Sequence, residues 1–320
     1  MHDEPPLRDV TGTVRLDDPA AVAVAVDRTL SRCYPDGSLD RDLLHASFAF
    51  AGRLYTGRHP GYLACDMPYH DLRHALDAAL AAARMVDGHC ATLGAGHEVL
   101  NAELGLVAVL LALLHDTGFL RSRAEASLRG AQLAATHETR SVAVASGYLA
   151  TTSCARHAGL AQLILATRVA LSPEALFERR SATEVTIGHI LGSADLICQA
   201  ADVRYLERCY HHLYPELVLG GGDRRTTPDG REEVLFQSAR DLLARTPAFH
   251  DTVMLPRLRK GLGNVMRYLE AHFRGPDPYE ASMRANQDRC ARIVKGDRWD
   301  LLGGPPPTTS HGLDPAFRVQ

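Results

Sequence analysis

The sequence predicts an all-α protein, and its residue types and their periodicity both support this fold class. Long segments are rich in alanine and leucine, which favour helices. Their apolar residues recur at intervals of three and four, as on one face of a helix, and alternating runs typical of strands are few. With 320 residues, 46% hydrophobic and 23% charged, the composition is ordinary for a globular protein. We therefore expect a helical bundle without a sheet.

Capping residues and apolar periodicity indicate where the helices begin and end. Asp18-Pro19 is typical of a helix start, because aspartate accepts hydrogen bonds from free backbone N–H groups and proline fits the first helical position. The first helix is therefore expected over residues 18–33. The Thr117-Gly118 step ends a strongly apolar helix expected over residues 97–115. Further helices are expected over residues 40–55, 70–89, 124–150, 155–170, 173–179, 183–212, 231–245, 250–273 and 278–294.

We expect one helical domain over residues 18–300. Residues 1–17 show no regular pattern and are expected to form an irregular N-terminus. The tail over residues 301–320 contains GGPPPTTSHG, and this proline and glycine content predicts disorder. The stretch GGGDRRTTPDG at 220–230 is expected to be a flexible connection.

Net charge and cysteine content limit the possible binding partners of the protein and its possible cellular compartment. A formal net charge of −3 provides no field that would attract nucleic acid or an anionic membrane surface. The start lacks the pattern of a secretory signal, and no uninterrupted apolar stretch reaches the length of a membrane span. The seven cysteines are scattered without a C-x-x-C pair, so we expect buried free thiols. These features predict a cytoplasmic protein that binds neither nucleic acid nor a membrane, and they leave a homodimer open.

The adjacent His115 and Asp116 are the most informative feature for function. They end a strongly apolar helix, where a polar pair loses its hydration unless a partner such as a bound cation compensates. Imidazole nitrogen and carboxylate oxygen are suitable ligands for several divalent metals, and the second carboxylate oxygen can bridge to another ion. A histidine near a helix C-terminus beside a surface aspartate would have the same sequence. The pair alone therefore leaves both interpretations open.

Two further histidines and an aspartate elsewhere in the chain strengthen the case for a metal site. His70 and His74 are four residues apart, which places them on one face of a helix. Asp195 lies in the otherwise apolar segment GHILGSADLICQAAD, where an unpaired carboxylate is costly to bury. The alternatives are a capping role for His70, a core position for His74 and a solvent-facing position for Asp195. His137 opens a later helix and could simply lie near its N-terminal cap.

Four segments together resemble the HD superfamily of metal-dependent phosphohydrolases. YHDLRHALD at 69–77 is similar to the YHNxxHAxD segment of the class I cyclic nucleotide phosphodiesterases, and VAVLLALLHD at 107–116 to their helix that ends in HD. LILATR at 163–168 is similar to their VLATD, and GSADL at 192–196 to their CADL. Residues 60–295 also resemble uncharacterised bacterial HD proteins. The resemblance implies an HD-domain helical bundle, with a core over about 66–212 and additional N- and C-terminal helices.

The resemblance also implies roles for individual residues. His70 would be the general acid that protonates the leaving oxygen, and Asp116 would reach a second metal. His137 resembles the histidine of a third superfamily motif that binds the second metal. The implied metal ligands are His74, His115, Asp116, His137 and Asp195, around one or two divalent ions of Mn, Fe, Zn or Mg. The candidate substrate-binding residues are Glu138, Arg140, Arg168 and Gln199, with Arg259 and Lys260 as further cations by position.

Departures from the phosphodiesterase pattern limit what the resemblance implies about substrate. The chain reads HDTGFLR where those enzymes read HDxxHxG, and Arg168 stands where their LATD motif has aspartate. Arg140-Ser141 replaces a pair of histidines, and the late glutamine region that clamps the purine is not recognisable. Cyclic nucleotide specificity therefore does not follow.

The expected function is metal-dependent hydrolysis of a phosphate ester, with a nucleotide or cyclic nucleotide phosphodiester as the leading substrate. One alternative is an HD-type diiron oxygenase, although such enzymes usually carry an additional histidine where this chain has LILATR. The other alternative is a non-catalytic regulator that binds a nucleotide.

Overall fold

The all-α prediction is confirmed by the computed structural model, which describes residues 7–92, 100–227 and 229–310. Within these ranges the α-helices are Pro19–Cys33 (α1), Arg41–Tyr55 (α2), Leu72–Thr92 (α3), Ala102–Leu114 (α4), His137–Leu149 (α5), Pro173–Phe177 (α6), Ala182–Ala200 (α7), Tyr205–Arg208 (α8), Tyr214–Gly220 (α9), Ala239–Phe249 (α10), Arg267–Phe273 (α11) and Pro278–Lys295 (α12). Turns of 3₁₀-helix cover Thr117–Phe119, Arg123–Glu125, Gly130–Thr136, Ala155–Thr167 and Trp299–Leu301. Turns of π-helix cover Cys209–Leu213, His250–Met254 and Arg257–Gly261.

The central helices are α3, α4 and α7, which pack against one another. Helix α4 is apolar on all sides and nearly every residue in it is buried, as expected for a helix inside a core. The segment Ala102–Phe119 is long and apolar enough to cross a membrane, but 89% of it is buried inside the protein. Because α3 and α7 flank α4, polar side chains on all three can meet at one place.

Helix α1 starts at its predicted cap, whereas the helices predicted over 124–150, 183–212 and 250–273 are each interrupted. The Asp18 carboxylate accepts hydrogen bonds from the N–H groups of Ala20 and Ala21 at the start of α1. The helix predicted over 183–212 instead ends at Ala200 and resumes at Tyr205. At the break, the side-chain amide of Asn286 in α12 donates to the carbonyls of Ala200 and Asp202. These distant donors satisfy carbonyls near the break, where helical pairing stops.

The prediction of a protein without a sheet was wrong at one place. Arg224–Thr226 (β1) pairs antiparallel with Glu232–Val234 (β2), within the predicted flexible connection and the start of the helix predicted over 231–245. The guanidinium of Arg225 lies 2.7 Å from the carboxylate of Glu233 on the facing strand. Opposite charges facing each other stabilise a hairpin modestly. Helix α10 begins later, where the Ser238 hydroxyl accepts from the N–H of Asp241.

The chain termini make more contacts than their composition suggests. The C-terminal segment through residue 310 was predicted to be disordered, yet Thr308 and Thr309 both donate hydroxyl hydrogen bonds to the buried carboxylate of Asp71. Residues 311–320 and 1–6 lie outside the described residues. In the N-terminal segment, the Asp9 carboxylate lies 2.6 Å from the guanidinium of Arg84 in α3. Each terminal segment is thus held to the protein by a buried charged group, Asp71 for the C-terminal segment and Arg84 for the N-terminal segment.

The expectation of only free cysteines was also wrong. Cys33 at the end of α1 and Cys90 near the end of α3 form a disulfide, with their Cα atoms 6.0 Å apart. The two positions are separated by 57 residues, so only helix packing brings them together. The remaining cysteines are free and buried. Disulfides are more common outside the cytoplasm, and the cytoplasmic location stays a prediction.

Asp77 in α3 is a buried carboxyl group whose Oδ1 atom has no hydrogen-bond partner. Burial raises its pKa from 3.8 to about 7, although Arg73 acts in the opposite direction. The folded protein therefore holds this proton more strongly than the unfolded chain does. The resulting stabilisation is present below the unfolded pKa of 3.8 and is lost as the pH rises to about 7.

Replacing Asp77 with asparagine is expected to remove this pH-dependent loss, which is at most about 4 kcal/mol. The free energy of unfolding of Asp77→Asn minus that of the wild type should therefore be more positive at about pH 8 than at about pH 5. Urea denaturation at both values measures it. Asp42→Asn, at an exposed position in α2, is the control. An equal difference at both pH values would contradict the buried, protonated carboxyl group.

Candidate metal centre

Three helices bring the predicted first-metal ligands together. His74 lies in α3, His115 and Asp116 follow the last residue of α4, and Asp195 lies in α7. The Nε2 atoms of the two histidines are 3.2 Å apart. The Nε2 atom of His74 is 3.3 Å from Oδ2 of Asp116 and 3.2 Å from Oδ1 of Asp195. His74, His115 and Asp195 therefore face one buried point, and Asp116 contacts both imidazoles from its own side.

Hydrogen bonds on the far side of the imidazole rings orient these nitrogens. Nδ1 of His115 lies 2.8 Å from the carbonyl oxygen of Ala112, which can only accept, so this nitrogen carries the proton in the neutral ring. Its Nε2 atom then directs a lone pair at the carboxylates. Nδ1 of His74 faces the thiol of Cys198, with the nitrogen 3.7 Å from the sulfur. Such contacts to the outer nitrogen are typical of metal-binding histidines.

The ligand atoms of His74, His115 and Asp195 all lie within 4.8 Å of one another, a spacing that fits a single cation. An ion held about 2.1 Å from each ligand places neighbouring ligand atoms about 3.0–3.4 Å apart. The distances between Nε2 of His115 and the facing oxygens of Asp116 and Asp195 are 3.2 and 3.5 Å. Oδ2 of Asp116 is buried and accepts no well-aligned hydrogen bond from the protein. Two neutral imidazoles and two carboxylates would match the charge of one divalent ion.

The electrostatics of the cluster favour a positive charge between the carboxylates. Burial lowers the pKa of His115, but the carboxylates of Asp116 and Asp195 outweigh it and raise the pKa to about 10. Burial raises the pKa of both carboxyl groups, but the facing imidazoles hold each well below its usual range. Protons therefore balance the carboxylates whenever a metal does not. Metal binding to such a cluster displaces protons.

His137 approaches the other oxygen of Asp116. Its Nε2 atom is 3.8 Å from Oδ1 of Asp116, and its Nδ1 atom lies 2.6 Å from the carbonyl oxygen of Ala134. The aspartate thus faces the first cluster with one oxygen and His137 with the other. This arrangement is the one that a carboxylate bridging two ions requires.

His70 lies next to the cluster and is held by a residue that the sequence analysis did not single out. Nδ1 of His70 is 2.5 Å from a carboxylate oxygen of the buried Glu216 in α9. The other carboxylate oxygen accepts from the backbone N–H of Tyr69. Burial lowers the pKa of His70, but Glu216 outweighs this and raises the pKa above the usual value. Since 146 residues separate the pair, no local sequence pattern could have indicated it.

Phe119 separates His70 from His137. Its ring stacks on both imidazoles, with centroid distances of 4.7 Å to His70 and 4.1 Å to His137. Phe119 occupies the position at which the HDxxHxG motif has its second histidine. The phenyl ring therefore fixes the spacing of the two imidazoles but cannot bind a metal itself.

The four candidate substrate-binding residues divide into two groups. Glu138 and Gln199 line the same pocket as Asp116 and Asp195. Arg168 is not part of that lining, but its guanidinium lies 2.9 Å from the Glu138 carboxylate. The Gln199 amide donates to the Asp195 carboxylate and accepts from the Tyr69 hydroxyl, so it positions a ligand of the cluster. Arg140 is directed away from the pocket.

The position of Arg140 has a structural cause. Its guanidinium donates to the carbonyls of Gly118 and Leu120 and pairs with Glu125. It therefore stabilises the turn that carries Phe119. Arg259 lines a separate surface groove, and Lys260 is exposed. The sequence placed these cations near the site only by their order along the chain, which does not determine side-chain direction.

No protein-family model matches this chain, and no curated protein is detectably similar to it. The family resemblance therefore depends on the short motifs and on the geometry of the side chains that they contribute.

The cluster is expected to bind a divalent metal, because the ligand atoms of His74, His115 and Asp195 face one point and Asp116 lies beside them. His115→Ala and Asp195→Asn should each weaken Mn²⁺ binding at least about tenfold, since a single disturbed contact around a metal ligand already has such an effect. Titration calorimetry of the metal-free protein with MnCl₂ measures the affinity, and circular dichroism verifies the fold. His89→Gln changes a buried histidine elsewhere in α3 and should bind as the wild type does. Unchanged affinity in Asp195→Asn would exclude this residue as a ligand.

Proposed function

We propose that this protein hydrolyses a phosphate ester at a metal centre of the HD type. The convergence of His74, His115, Asp116 and Asp195 supports this proposal, because the four residues lie in the motif order of that superfamily. His137 beside the Oδ1 atom of Asp116 supports a second ion. One or two divalent ions of Mn, Fe, Zn or Mg are the proposed cofactors, and a nucleotide remains among the proposed substrates.

The cluster residues and His70 would have separate tasks. A divalent cation, when bound, would make water a stronger nucleophile and neutralise charge on the phosphate. His70 holds a proton on an imidazole that Glu216 keeps oriented through Nδ1. That leaves Nε2 as the nitrogen that can protonate a leaving oxygen. Gln199 keeps the Asp195 carboxylate in place by donating to its Oδ1 atom.

The hydrolase proposal predicts that elemental analysis of the purified protein will find a divalent metal. It further predicts turnover of phosphate mono- or diesters with Mn, Fe, Zn or Mg. His115→Ala/Asp116→Ala should abolish turnover while the helical signal in circular dichroism persists, since both ligands act in the chemistry. Iron together with oxygen uptake would instead favour the diiron oxygenase. A protein that retains its full function in the double variant would favour the non-catalytic regulator.

The proposed general acid predicts a dependence on the leaving group. His70→Gln should lower kcat about 100-fold or more for alkyl esters, whose leaving oxygen needs a proton, and much less for p-nitrophenyl esters, whose leaving oxygen does not. Glu216→Gln should show the same pattern with a smaller loss, because it only positions His70. Both variants should keep the metal content of the wild type.

His212→Gln is the matched control, because His212 is a buried histidine outside the pocket lining. Its activity should show no leaving-group effect. Equal losses in His70→Gln for alkyl and p-nitrophenyl esters would argue against proton donation by His70 and leave only a structural role.

A further inference from the structure

A cavity of about 380 Å³ extends from the metal centre into the C-terminal helices. Asp116, His137 and Asp195 belong to its lining. The lining also includes a set of apolar side chains, here called the apolar chamber: Leu213, Leu217, Phe236, Leu242, Phe249 and Met254. This size is in the usual range for a site that binds a small organic molecule. The cavity therefore offers polar side chains that suit a charged group and apolar side chains that suit an apolar group.

The amides and hydroxyls that line the cavity have already donated their hydrogens within the protein. The Gln199 amide donates to the backbone oxygen and to the carboxylate of Asp195. The Tyr69 hydroxyl donates to Gln199, and the hydroxyls of Thr167 and Thr246 donate to backbone carbonyls in their own segments. The Tyr205 hydroxyl is hydrogen-bonded with Cys209.

Because these hydrogen bonds stay within the protein, they limit which groups of a ligand the cavity can recognise by hydrogen bonding. A site that recognises a nucleobase by its edge presents amide or hydroxyl groups that are free to pair with it. Neither the Gln199 amide nor the hydroxyls of Tyr69, Thr167 and Thr246 have a hydrogen left to donate. Apolar side chains, by contrast, bind apolar groups by removing them from water.

The mouth of the cavity is also apolar. Phe249 and Val169 both line it, and each is 39% exposed despite its large hydrophobic side chain. Arg245 lies on the same lining, and its guanidinium is paired with Asp241 at 3.0 Å. An apolar group that enters the chamber would cover Phe249 and Val169. The walls and the mouth thus favour the same kind of ligand.

We infer that the substrate of this site carries an apolar alkyl or aryl group, which occupies the apolar chamber while its phosphate faces the metal centre. This inference rests on the proposed hydrolase function for the phosphate end. The apolar end rests on the lining of the chamber alone. Selectivity would then come from the volume and apolar walls of the chamber.

The binding test uses two phosphonates with the same charged group. Hexylphosphonate and methylphosphonate are titrated into the Mn²⁺-loaded protein by calorimetry, with adenosine 5′-monophosphate as a third ligand. Hexylphosphonate should bind at least about tenfold more tightly than methylphosphonate, because each additional buried methylene group contributes to affinity. Adenosine 5′-monophosphate should bind more weakly than hexylphosphonate. Equal affinity for the two phosphonates would overturn the inference.

Variants test whether the apolar chamber causes the preference. Phe249→Ala removes a chamber wall, and Leu217→Asn places an amide in the chamber; each should reduce the hexyl preference at least about threefold. Val253→Ala and Val218→Asn are the matched controls, because both valines are exposed and neither lines the cavity. A hexyl preference that survives in both chamber variants would overturn the assignment.

Hydrolysis assays separate the two proposals. If none of the methyl, hexyl and benzyl phosphate esters is hydrolysed, yet the hexyl preference is present and Leu217→Asn removes it, hydrolysis fails and the assignment of the apolar chamber stands. If esters are hydrolysed but methyl esters and nucleotides match hexyl esters in kcat/KM, the hydrolase proposal stands and the apolar chamber is not the substrate site.

Discussion

Two imidazole nitrogens and two carboxylate oxygens meet in the buried interior, and their charge has to be balanced there. His74, His115, Asp116 and Asp195 are at most about a tenth exposed, so water cannot screen the carboxylates effectively. A proton or a metal ion must therefore stay in the cluster. The helices that carry these residues have to be held firmly, because a small shift would separate carboxylates from the cation that neutralises them.

The surrounding structure provides this rigidity by different means on each side. Helix α4 is anchored by apolar packing on all faces, which fixes His115 and Asp116 at its end. Asp195 is oriented by Gln199, and the segment around Asp71 is tied by hydrogen bonds to Thr308 and Thr309. Buried polar groups of this kind stabilise a single arrangement only when each has its partner.

The candidate metal centre and the apolar chamber come from different parts of the chain. The cluster is built by motif residues between His70 and Asp195, whereas the chamber is built mainly by α9, α10 and the π-helical turns around them. Glu216 links the two parts, since it lies in α9 and holds His70. The C-terminal helices therefore both shape the cavity and position His70, the proposed general acid.

The sequence alone determined those features that depend on neighbouring residues. Asp18 and Pro19 start α1 because capping is a contact within one turn, and His115 and Asp116 are adjacent by covalent connection. The four-residue spacing of His70 and His74 predicted that both would be near one site, although His70 precedes the first residue of α3. The convergence of Asp195 was implied only by the family resemblance, since its approach depends on how α7 packs.

Tertiary structure decided the rest, because it depends on contacts between residues far apart in the chain. Glu216 meets His70, Phe119 lies between two imidazoles, Asn286 divides a predicted helix and Cys33 reaches Cys90. Arg140 could not be placed from sequence either, since its direction follows from Glu125 and from carbonyls of a nearby turn. Local periodicity does not indicate which distant side chains will pack together in the interior. The candidate site is formed by such long-range packing.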